Sequence, residues 1–369
     1  MVNSTDVFVI GGGPAGLAAA IAARQQGLRV MVADGAEVPI DKPCGEGLMP
    51  DGIVALEKLG IAVEAEDSYP FHGIRFLSSG LAVDAPFPGG ASGVGVRRTV
   101  LHRIMANHAS NLGIDLLWRT AVTGISADGV HLSGRKVSAR WIIGADGGNS
   151  RVRRWAKLDA LRKQDRRYAF RQHYCVAPWT DRMELHWGER GEIYVTPVSE
   201  EQVCVVLISR NPKLRLQEAL QQFPELQARL GAAEVASAEK GALTDTCKLR
   251  RVSRGNVALI GDASGTVDAI TGEGLCLSFS QAMVLADCLR AGDLTRYERE
   301  HRRLALRPLL MARLMLTLDG RPRLQRRTLQ VFRKRPEVFR RLLELHVGIL
   351  SPLHLALDGL TLGWGLLTV

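Results

Sequence analysis

Glycines and a carboxylate at fixed spacing near the start of the chain are suited to binding a phosphate-bearing ligand. Gly11, Gly13 and Gly16 form a G-x-G-x-x-G pattern directly after the apolar run 7–10. The first glycine permits a tight turn, the second lets the backbone approach a pyrophosphate, and the third allows close helix–strand packing. Asp34 ends the next apolar run, where a carboxylate can accept both ribose hydroxyls of an adenosine. The pattern indicates a dinucleotide site; the alternative is a glycine-rich turn with a chance acid nearby.

Two later segments place further carboxylates at the ends of predicted strands. Asp146 follows the apolar run 137–145, and Asp262 follows the run 257–260. Small residues come after Asp262, and the segment 272–275, G-E-G-L, then opens a predicted helix. A carboxylate at the end of a parallel strand, facing a glycine-rich helix start, suits ribityl hydroxyls and a pyrophosphate. The three segments together predict one site built from separated parts of the chain.

Cys44 is the candidate catalytic residue. It lies in K-P-C-G-E-G-L, residues 42–48, in the loop after the second predicted strand. A thiol there can supply a proton or shape a pocket. The alternative is a small buried hydrophobe, with the neighbouring glycines serving a turn. No metal site is predicted, because the six cysteines show no C-x-x-C and no Cys/His pairing of zinc type.

Strands and helices must bring these residues together. The β-rich apolar run 7–10 predicts a strand buried on both faces, followed by an Ala-rich helix over 14–26. Alternating runs within 69–87 and 168–208 predict a second, mixed sheet, and a helical stretch is predicted over 212–230. The predicted fold class is α/β: a Rossmann-like dinucleotide-binding domain interleaved with a mixed β-sheet substrate domain, plus C-terminal helices.

The predicted domains are discontinuous, since no Pro/Ser-rich linker divides the chain. The dinucleotide-binding domain takes 1–68, 90–165 and 245–292, the substrate-binding sheet takes 69–89 and 166–244, and the helical region takes 293–369. Three histidines fall in the predicted sheet, His72, His173 and His186. Spacing gives no reason to choose one as a base, so we expect structural or lining roles.

The order of these motifs resembles the glutathione-reductase-type FAD fold of class A flavoprotein monooxygenases, a superfamily that includes geranylgeranyl reductases and flavin-dependent halogenases. GxGxxG comes first, then an arginine before a helix, then ADGxxSxVR, then GDAxG with GxGL. The resemblance covers about residues 5 to 290. It implies FAD as the cofactor. A second dinucleotide fingerprint is missing from the sequence, so NAD(P)H, if used, would be a transient reductant.

The resemblance also implies roles for the site residues. Asp34 would hold the adenosine ribose, Arg98 would reach the pyrophosphate, and Asp262 would bind the ribityl chain and pyrophosphate. Asp146 would maintain the flavin domain and contact reduced nicotinamide. The backbone of 272–275 would lie near the isoalloxazine, and geranylgeranyl reductases carry a similar Cys-Gly segment close to the flavin. The predicted cofactor-binding set is Gly11, Gly13, Pro14, Ala15, Gly16, Asp34, Gly35, Cys44, Gly45, Arg98, Asp146, Gly261, Asp262, Gly272, Glu273, Gly274 and Leu275.

Three activities are compatible with the resemblance. The segments GVRRTVLHRIMANHA and DGGNSRVRR favour an NAD(P)H-driven monooxygenase that hydroxylates an aromatic or lipophilic small molecule. The alternative is a geranylgeranyl-reductase-like reductase of isolated C=C bonds. It is supported by the Cys44 segment and by 268–271, D-A-I-T, where monooxygenases usually carry a proline. A non-catalytic or electron-transfer flavoprotein is the third. The W-x-W-x-I-P pattern of halogenases is absent, which argues against halogenation.

Excess positive charge is concentrated near the C-terminus. The formal net charge is +10, and much of the excess lies between residues 296 and 341. No recognition motif accompanies it, so no nucleic-acid partner is expected. We expect a helical cap with solvent-facing arginines; the alternative is peripheral contact of these basic helices with an anionic membrane surface. No signal peptide is visible and the cysteines are widely spaced. A cytoplasmic location is therefore expected, with membrane-surface association as the alternative.

Overall fold

The computed structural model describes residues 4–78, 80–159 and 161–350, with side chains described throughout except at 161–165. Its strands are β1 (Ser4–Ile10), β2 (Val30–Ala33), β3 (Gly47–Leu48), β4 (Tyr69–Phe71), β5 (Gly73–Ser78), β6 (Leu81–Pro86), β7 (Gly93–Gly95), β8 (Asp115–Leu117), β9 (Val122–Ser126), β10 (Gly129–Leu132), β11 (Arg135–Gly144), β12 (Leu161–Cys175), β13 (Met183–Trp187), β14 (Glu192–Ser199), β15 (Gln202–Ser209), β16 (Glu234–Val235), β17 (Lys240–Leu249), β18 (Ser253–Arg254) and β19 (Val257–Leu259). Its helices are α1 (Pro14–Gln25), α2 (Pro50–Lys58), α3 (Arg98–Asn111), α4 (Arg151–Trp155), α5 (Leu216–Leu220), α6 (Pro224–Gly231), α7 (Gly274–Ala291), α8 (Leu294–Leu318), α9 (Pro322–Lys334) and α10 (Pro336–His346).

The first sheet has a parallel centre. Its order is β18-β19-β11-β1-β2-β8, and the β9–β10 hairpin attaches to β11. The five strands from β19 to β8 run parallel. Val7 and Val9 of β1 pack in the core with α1, α3 and α7, whereas Phe8 and Ile10 pack in the core on the opposite face. The run V-F-V-I is continuous because both faces of this strand are buried.

The second sheet is mixed and is covered on both faces. Its order is β16-β12-β15-β14-β13-β5-β6, with β17 paired to β12. β13 runs parallel to β5, whereas β14 and β15 are antiparallel to their neighbours. Helices α8, α9 and α10 bury one face through residues such as Phe332, Phe339 and Leu342, and α5 and α6 cover the other. The predicted α/β class, with a Rossmann-like sheet, a mixed sheet and C-terminal helices, is confirmed.

Three details differ from the sequence expectation. β4 pairs with β7 in a small three-stranded sheet instead of joining the second sheet. β12 already begins at Leu161. The helical stretch 212–230 contains two helices, because Pro224 opens α6 and cannot continue a helix that comes before it.

The C-terminal part of the chain is helical as far as it is described. Among the described residues, no helix is both long enough and apolar enough to cross a bilayer. The sequence is strongly apolar over 347–369, and most of this stretch lies outside the described residues.

Candidate cofactor and substrate site

A cavity of about 650 Å³ lies between the two sheets and receives the loops that follow β1, β2 and β11. Most of the predicted cofactor residues line it: Gly11, Gly13, Pro14, Ala15, Asp34, Gly35, Cys44, Gly45, Arg98, Asp146, Asp262, Gly272, Gly274 and Leu275. These residues come from distant parts of the chain, and the topology of the parallel sheet brings them to one edge. The opposite wall comes from the second sheet, including Met183, Tyr194 and Ile208.

Three of the predicted residues lie behind this wall. A Cβ on Gly16 would lie 1.9 Å from the Gly11 carbonyl oxygen. The absence of a side chain at Gly16 therefore lets α1 pack closely against the loop that follows β1. Gly261 adopts a φ of 58°, and a Cβ there would meet the side chain of Ala15. Glu273 is buried and faces the C-terminal helices instead of the cavity. Their predicted cofactor contacts therefore stay predictions.

The start of α1 is open to an anionic group. Gly13 is the N-cap residue, and no side chain caps the helix. A Cβ on Gly13 would meet no atom within 4 Å, so this face of the turn is free. Helix N-termini carry unsatisfied N–H groups and a positive partial charge. Arg98 lines the same cavity, and among the described residues its buried Nε has no hydrogen-bond partner. This geometry fits a pyrophosphate.

Asp34 and Asp262 lie at the ends of strands in the same cavity wall. The Asp34 carboxylate accepts backbone N–H groups of Gly12, at 2.7 Å, and Ala36, at 2.8 Å, and each oxygen keeps a lone pair for a ribose hydroxyl. Asp262 Oδ2 lies 2.9 Å from Lys42 Nζ, and both side chains are half exposed. An ion pair at that exposure is weak, so either group can turn to a ligand. Lys42 is not among the residues predicted from the sequence, although it lies in the segment 42–48 that contains Cys44.

Asp146 is occupied in capping a helix. Its Oδ2 accepts the backbone N–H groups of Arg151, at 2.6 Å, and Val152, at 3.2 Å, and its Oδ1 accepts the Ser150 hydroxyl at 2.5 Å. An acid at this position satisfies free N–H groups at the start of α4. The contacts account for a role in the integrity of the domain; a contact with nicotinamide stays a prediction.

The cysteine segment is held by a buried network that sequence reasoning missed. Cys44 is half-buried, and its Sγ accepts the N–H of Glu46 at 3.4 Å. Glu46 has a left-handed φ of 60°, which is unusual outside glycine and costs energy. Its carboxylate accepts a hydrogen bond from the backbone N–H of Arg98 at 3.0 Å and lies 2.6 Å from His173 Nε2. These contacts lock the loop that presents Cys44.

His173 lies behind the wall as part of this network, in agreement with a structural role. With Glu46 and Cys204 it places an imidazole, a carboxylate and a thiol within 4.8 Å of one another. Arg171 lies 3.0 Å from His173 Nδ1 and 3.6 Å from the Glu46 carboxylate. The guanidinium supplies the positive charge that balances the carboxylate, so the cluster is a closed ion-pair network.

The unusual loop 268–271 is anchored by a second buried network. Asp268 caps the short turn Ala269–Thr271 by accepting the Ile270 N–H, and it forms an ion pair with the fully buried Arg167. Arg167 also pairs with Glu192, at 2.5 Å. Burial raises the pKa of Glu192 to about 7, against the opposing charge of Arg167. Asp268 therefore ties the loop to the second sheet.

A smaller cavity of about 140 Å³ adjoins the large one. Met183 and Tyr194 line both, so the two cavities share a wall. The lining of the small cavity is almost entirely apolar and includes Phe76, Trp187, Met311, Leu314, Phe332 and Phe339. Four of these residues belong to the C-terminal helices. The site thus joins a polar half to an apolar half.

Comparisons with known proteins agree with this geometry. A family model described as "FAD binding domain" matches residues 4–292. A menaquinone reductase of Mycolicibacterium smegmatis is 28% identical over 324 residues, covering 80% of this chain and 79% of the relative. A digeranylgeranylglycerophospholipid reductase of Methanosarcina acetivorans is 28% identical over 302 residues, covering 74% and 72%. The solved structure of the flavin-dependent brominase Bmp2 has a TM-score of 0.82 at 18% identity, covering 94% of each chain, and this likeness concerns the fold alone.

Proposed function

This chain belongs to the FAD binding domain family and is an FAD-dependent oxidoreductase, and from that premise we propose that it reduces a carbon–carbon double bond in the isoprenoid chain of a lipid. The superfamily and the FAD cofactor predicted from the sequence are confirmed. The two named relatives act on lipids that both carry polyprenyl chains. Both relatives are named as reductases, and reduction of a carbon–carbon double bond in such a chain is a reaction that both lipids allow.

The observation that carries the proposal is the apolar cavity beside the anion-binding one. A volume of about 140 Å³ is close to the engineered cavities that admit benzene, and therefore suits about one isoprene unit. Removing each methylene or methyl group from water contributes about 0.8 kcal/mol, so an apolar chain is favoured over a polar ligand. Because Met183 and Tyr194 line both cavities, a chain bound in the small cavity would lie next to the cofactor half.

The protein's own part in the reaction is binding, orientation and exclusion of water. The start of α1, Arg98 and Asp34 would hold the pyrophosphate and ribose of FAD, which supplies a hydride equivalent when reduced. The Arg167 network fixes the loop 268–271 at the boundary of the two cavities, and the Tyr194 hydroxyl donates to the Ile270 carbonyl at 2.7 Å. The C-terminal helices close the apolar half against solvent.

An anaerobic turnover experiment tests this proposal. The holoprotein is reduced with dithionite and mixed with a menaquinone or a geranylgeranyl lipid, and the product is analysed by mass spectrometry. We expect the lipid to gain two hydrogen atoms. Leu314→Trp should fill the apolar cavity and lower this turnover at least about tenfold. Leu306→Trp on the same helix, where the side chain is half exposed, should leave it unchanged. An unchanged lipid, or equal turnover by both variants, would contradict the proposal.

Hydroxylation, the activity favoured by the sequence, is the second candidate. The observation that supports it is the aromatic lining of the small cavity, since Phe76, Trp187 and Phe339 can stack on a flat ring. A monooxygenase consumes oxygen in step with product, and its product gains an oxygen atom. The same assay run in air with an aromatic lipid distinguishes the two activities. Reduction by NADH or NADPH in place of dithionite tests the predicted electron donor.

We also propose that the basic face of α9 contacts an anionic membrane surface, from which the lipid reaches the cavity. Between residues 321 and 340 the exposed charged side chains are seven arginines and a lysine, with Glu337 as the single exposed acid. The opposite face of α9 lines the apolar cavity through Leu324 and Phe332. Juxtamembrane basic residues each contribute about 1 kcal/mol at such a surface. Flotation with anionic vesicles that is lost in 0.5 M salt (a roughly 4 Å Debye length) supports the proposal; equal flotation with zwitterionic vesicles contradicts it.

A further inference from the structure

A buried cluster of ionisable residues lies between the two cavities. Glu273 stands between Gly272 and Gly274, which line the large cavity. His346, on α10, lines the apolar cavity, and its Nδ1 lies 3.5 Å from Glu273 Oε2. One carboxyl group and one imidazole therefore link the glycine loop to the apolar cavity.

The surroundings of Glu273 are poor in hydrogen-bond donors. It is 2% exposed, and among the described residues neither carboxyl oxygen accepts a well-formed hydrogen bond. Arg307 Nη2 lies 3.3 Å from Glu273 Oε1, but it is shared with Asp51, at 2.6 Å. One guanidinium thus faces two carboxyl groups. A second negative charge in such a site is costly, and uptake of a proton relieves it.

The protonation states follow from burial. Burial raises the pKa of Glu273 to about 8; Asp51 reinforces the shift, whereas Arg307 and the Thr271 hydroxyl oppose it. Burial lowers the pKa of His346 to about 4. The remaining neighbour, the Cys276 thiol, has its pKa raised by burial and stays neutral. At neutral pH the cluster therefore holds a carboxylic acid next to a neutral imidazole.

We propose that His346 delivers a proton to the substrate double bond and that Glu273 resupplies it. This inference rests on the proposed reductase function. His346 is the catalytic residue, since it faces the cavity that takes the substrate, and Glu273 acts through it. The alternative donor, Cys44, lines the large cavity but does not belong to the lining of the apolar one.

The step balances in atoms and electrons. The π bond of the substrate breaks, and one carbon receives the hydride equivalent of the reduced cofactor. The other carbon takes the proton from one nitrogen of His346, while the other nitrogen, Nδ1, takes the proton of Glu273. The imidazole ends neutral, Glu273 ends as a carboxylate, and the cofactor ends oxidised. Arg307 stabilises the new carboxylate until solvent returns the proton.

Infrared spectroscopy of the holoprotein tests the acid directly and without turnover. We expect the carbonyl stretch of a protonated carboxyl group below about pH 8, lost on titration through that pH. Glu273→Gln should remove this band. Glu192 is a second buried carboxyl group with a pKa raised to about 7, so it should give a band of its own that is lost at a lower pH. Glu192→Gln should remove that band and leave the one lost near pH 8. His346→Gln should shift its frequency, which keeps the test available if Glu273→Gln does not fold. If the band lost near pH 8 survives Glu273→Gln, or if neither Glu273→Gln nor His346→Gln changes it, the inference is overturned.

Single-turnover kinetics then test whether His346 delivers the proton to the substrate. General acid catalysis contributes about 10²–10⁴-fold, so His346→Gln should slow anaerobic reoxidation by the lipid at least about a hundredfold, while reoxidation by oxygen stays within about twofold. Glu337→Gln, at an exposed acid on the same helix, serves as the control. If wild-type protein reduces no lipid, the proposed function fails. The infrared experiment still decides whether Glu273 is protonated, because it needs no turnover. If it reduces lipid and His346→Gln matches it, this inference fails.

Discussion

Removal of the guanidinium of Arg167 tests the buried network that anchors the loop 268–271. Arg167 is fully buried and pairs with Asp268 and Glu192. Arg167→Met keeps the volume of the side chain but leaves these carboxyl groups unpaired. Breaking a buried ion pair from one side costs about 3–5 kcal/mol. Arg166→Met is the matched control, since the adjacent arginine is exposed and surface changes cost under about 0.5 kcal/mol.

The expected change in melting temperature follows from chain length. An unfolding entropy of about 2.1 cal/mol/K per residue gives about 0.8 kcal/mol/K for 369 residues. A cost of 3–5 kcal/mol therefore lowers the melting temperature by about 4–6 °C. The decrease in melting temperature should be greater at pH 8 than at pH 6. Glu192 has a pKa of about 7, so at the lower pH it takes up a proton and leaves no unpaired charge.

Calorimetry at both pH values, on apoprotein and holoprotein, measures these losses. The double variant Arg167→Met/Glu192→Gln should recover part of the stability, and more of it at pH 8, because it removes one of the unpaired charges. A melting temperature of Arg167→Met equal to that of Arg166→Met would refute the reasoning. An equal loss at both pH values would show that the titration of Glu192 does not contribute to the effect.

Three further predictions concern the cofactor site and the buried acid. Asp262→Ala should weaken FAD retention about 10–100-fold through loss of charge-assisted hydrogen bonds, and Cys44→Ala less than about twofold; equal retention in equilibrium dialysis would count against these roles. Gly13→Ala should change the melting curve of the apoprotein little, since no atom lies within 4 Å of the new Cβ, yet lower FAD affinity at least about tenfold. Gly231→Ala, where the new Cβ also meets no atom within 4 Å and which is not part of the cavity lining, should leave FAD affinity unchanged. Glu273 has a folded-state pKa raised to about 8 from 4.5, so the folded protein binds more protons in that window and its free energy of unfolding falls as pH rises through it. Glu273→Gln should flatten this part of the denaturation profile, and an unchanged slope would contradict the assignment.

Much of the cofactor half of the site was accessible from sequence. Gly11, Gly13 and Asp34 are encoded by local spacing, because a strand, a tight turn and a helix follow one another within a short segment. The carboxyl ends of parallel strands meet at one edge of the sheet, which also predicts that Asp146 and Asp262 approach them. The conformation of Glu46 could not be predicted from the sequence, because no residue type in the segment indicates that a glutamate adopts a left-handed φ.

The reactive half was decided by tertiary structure. Glu46 and His173 lie 127 residues apart, and Arg167 and Asp268 lie 101 apart, so no local pattern links them. The buried carboxylate of Asp268 is paired, whereas the buried carboxyl group of Glu273 is short of donors. This difference depends on which elements pack around each group. The apolar cavity likewise exists only because α8 to α10 fold back over the second sheet. Periodic and local signals therefore identify the cofactor, whereas its use depends on contacts that form after the chain has folded, because burial sets both the cost of a charge and the shape of the space beside it.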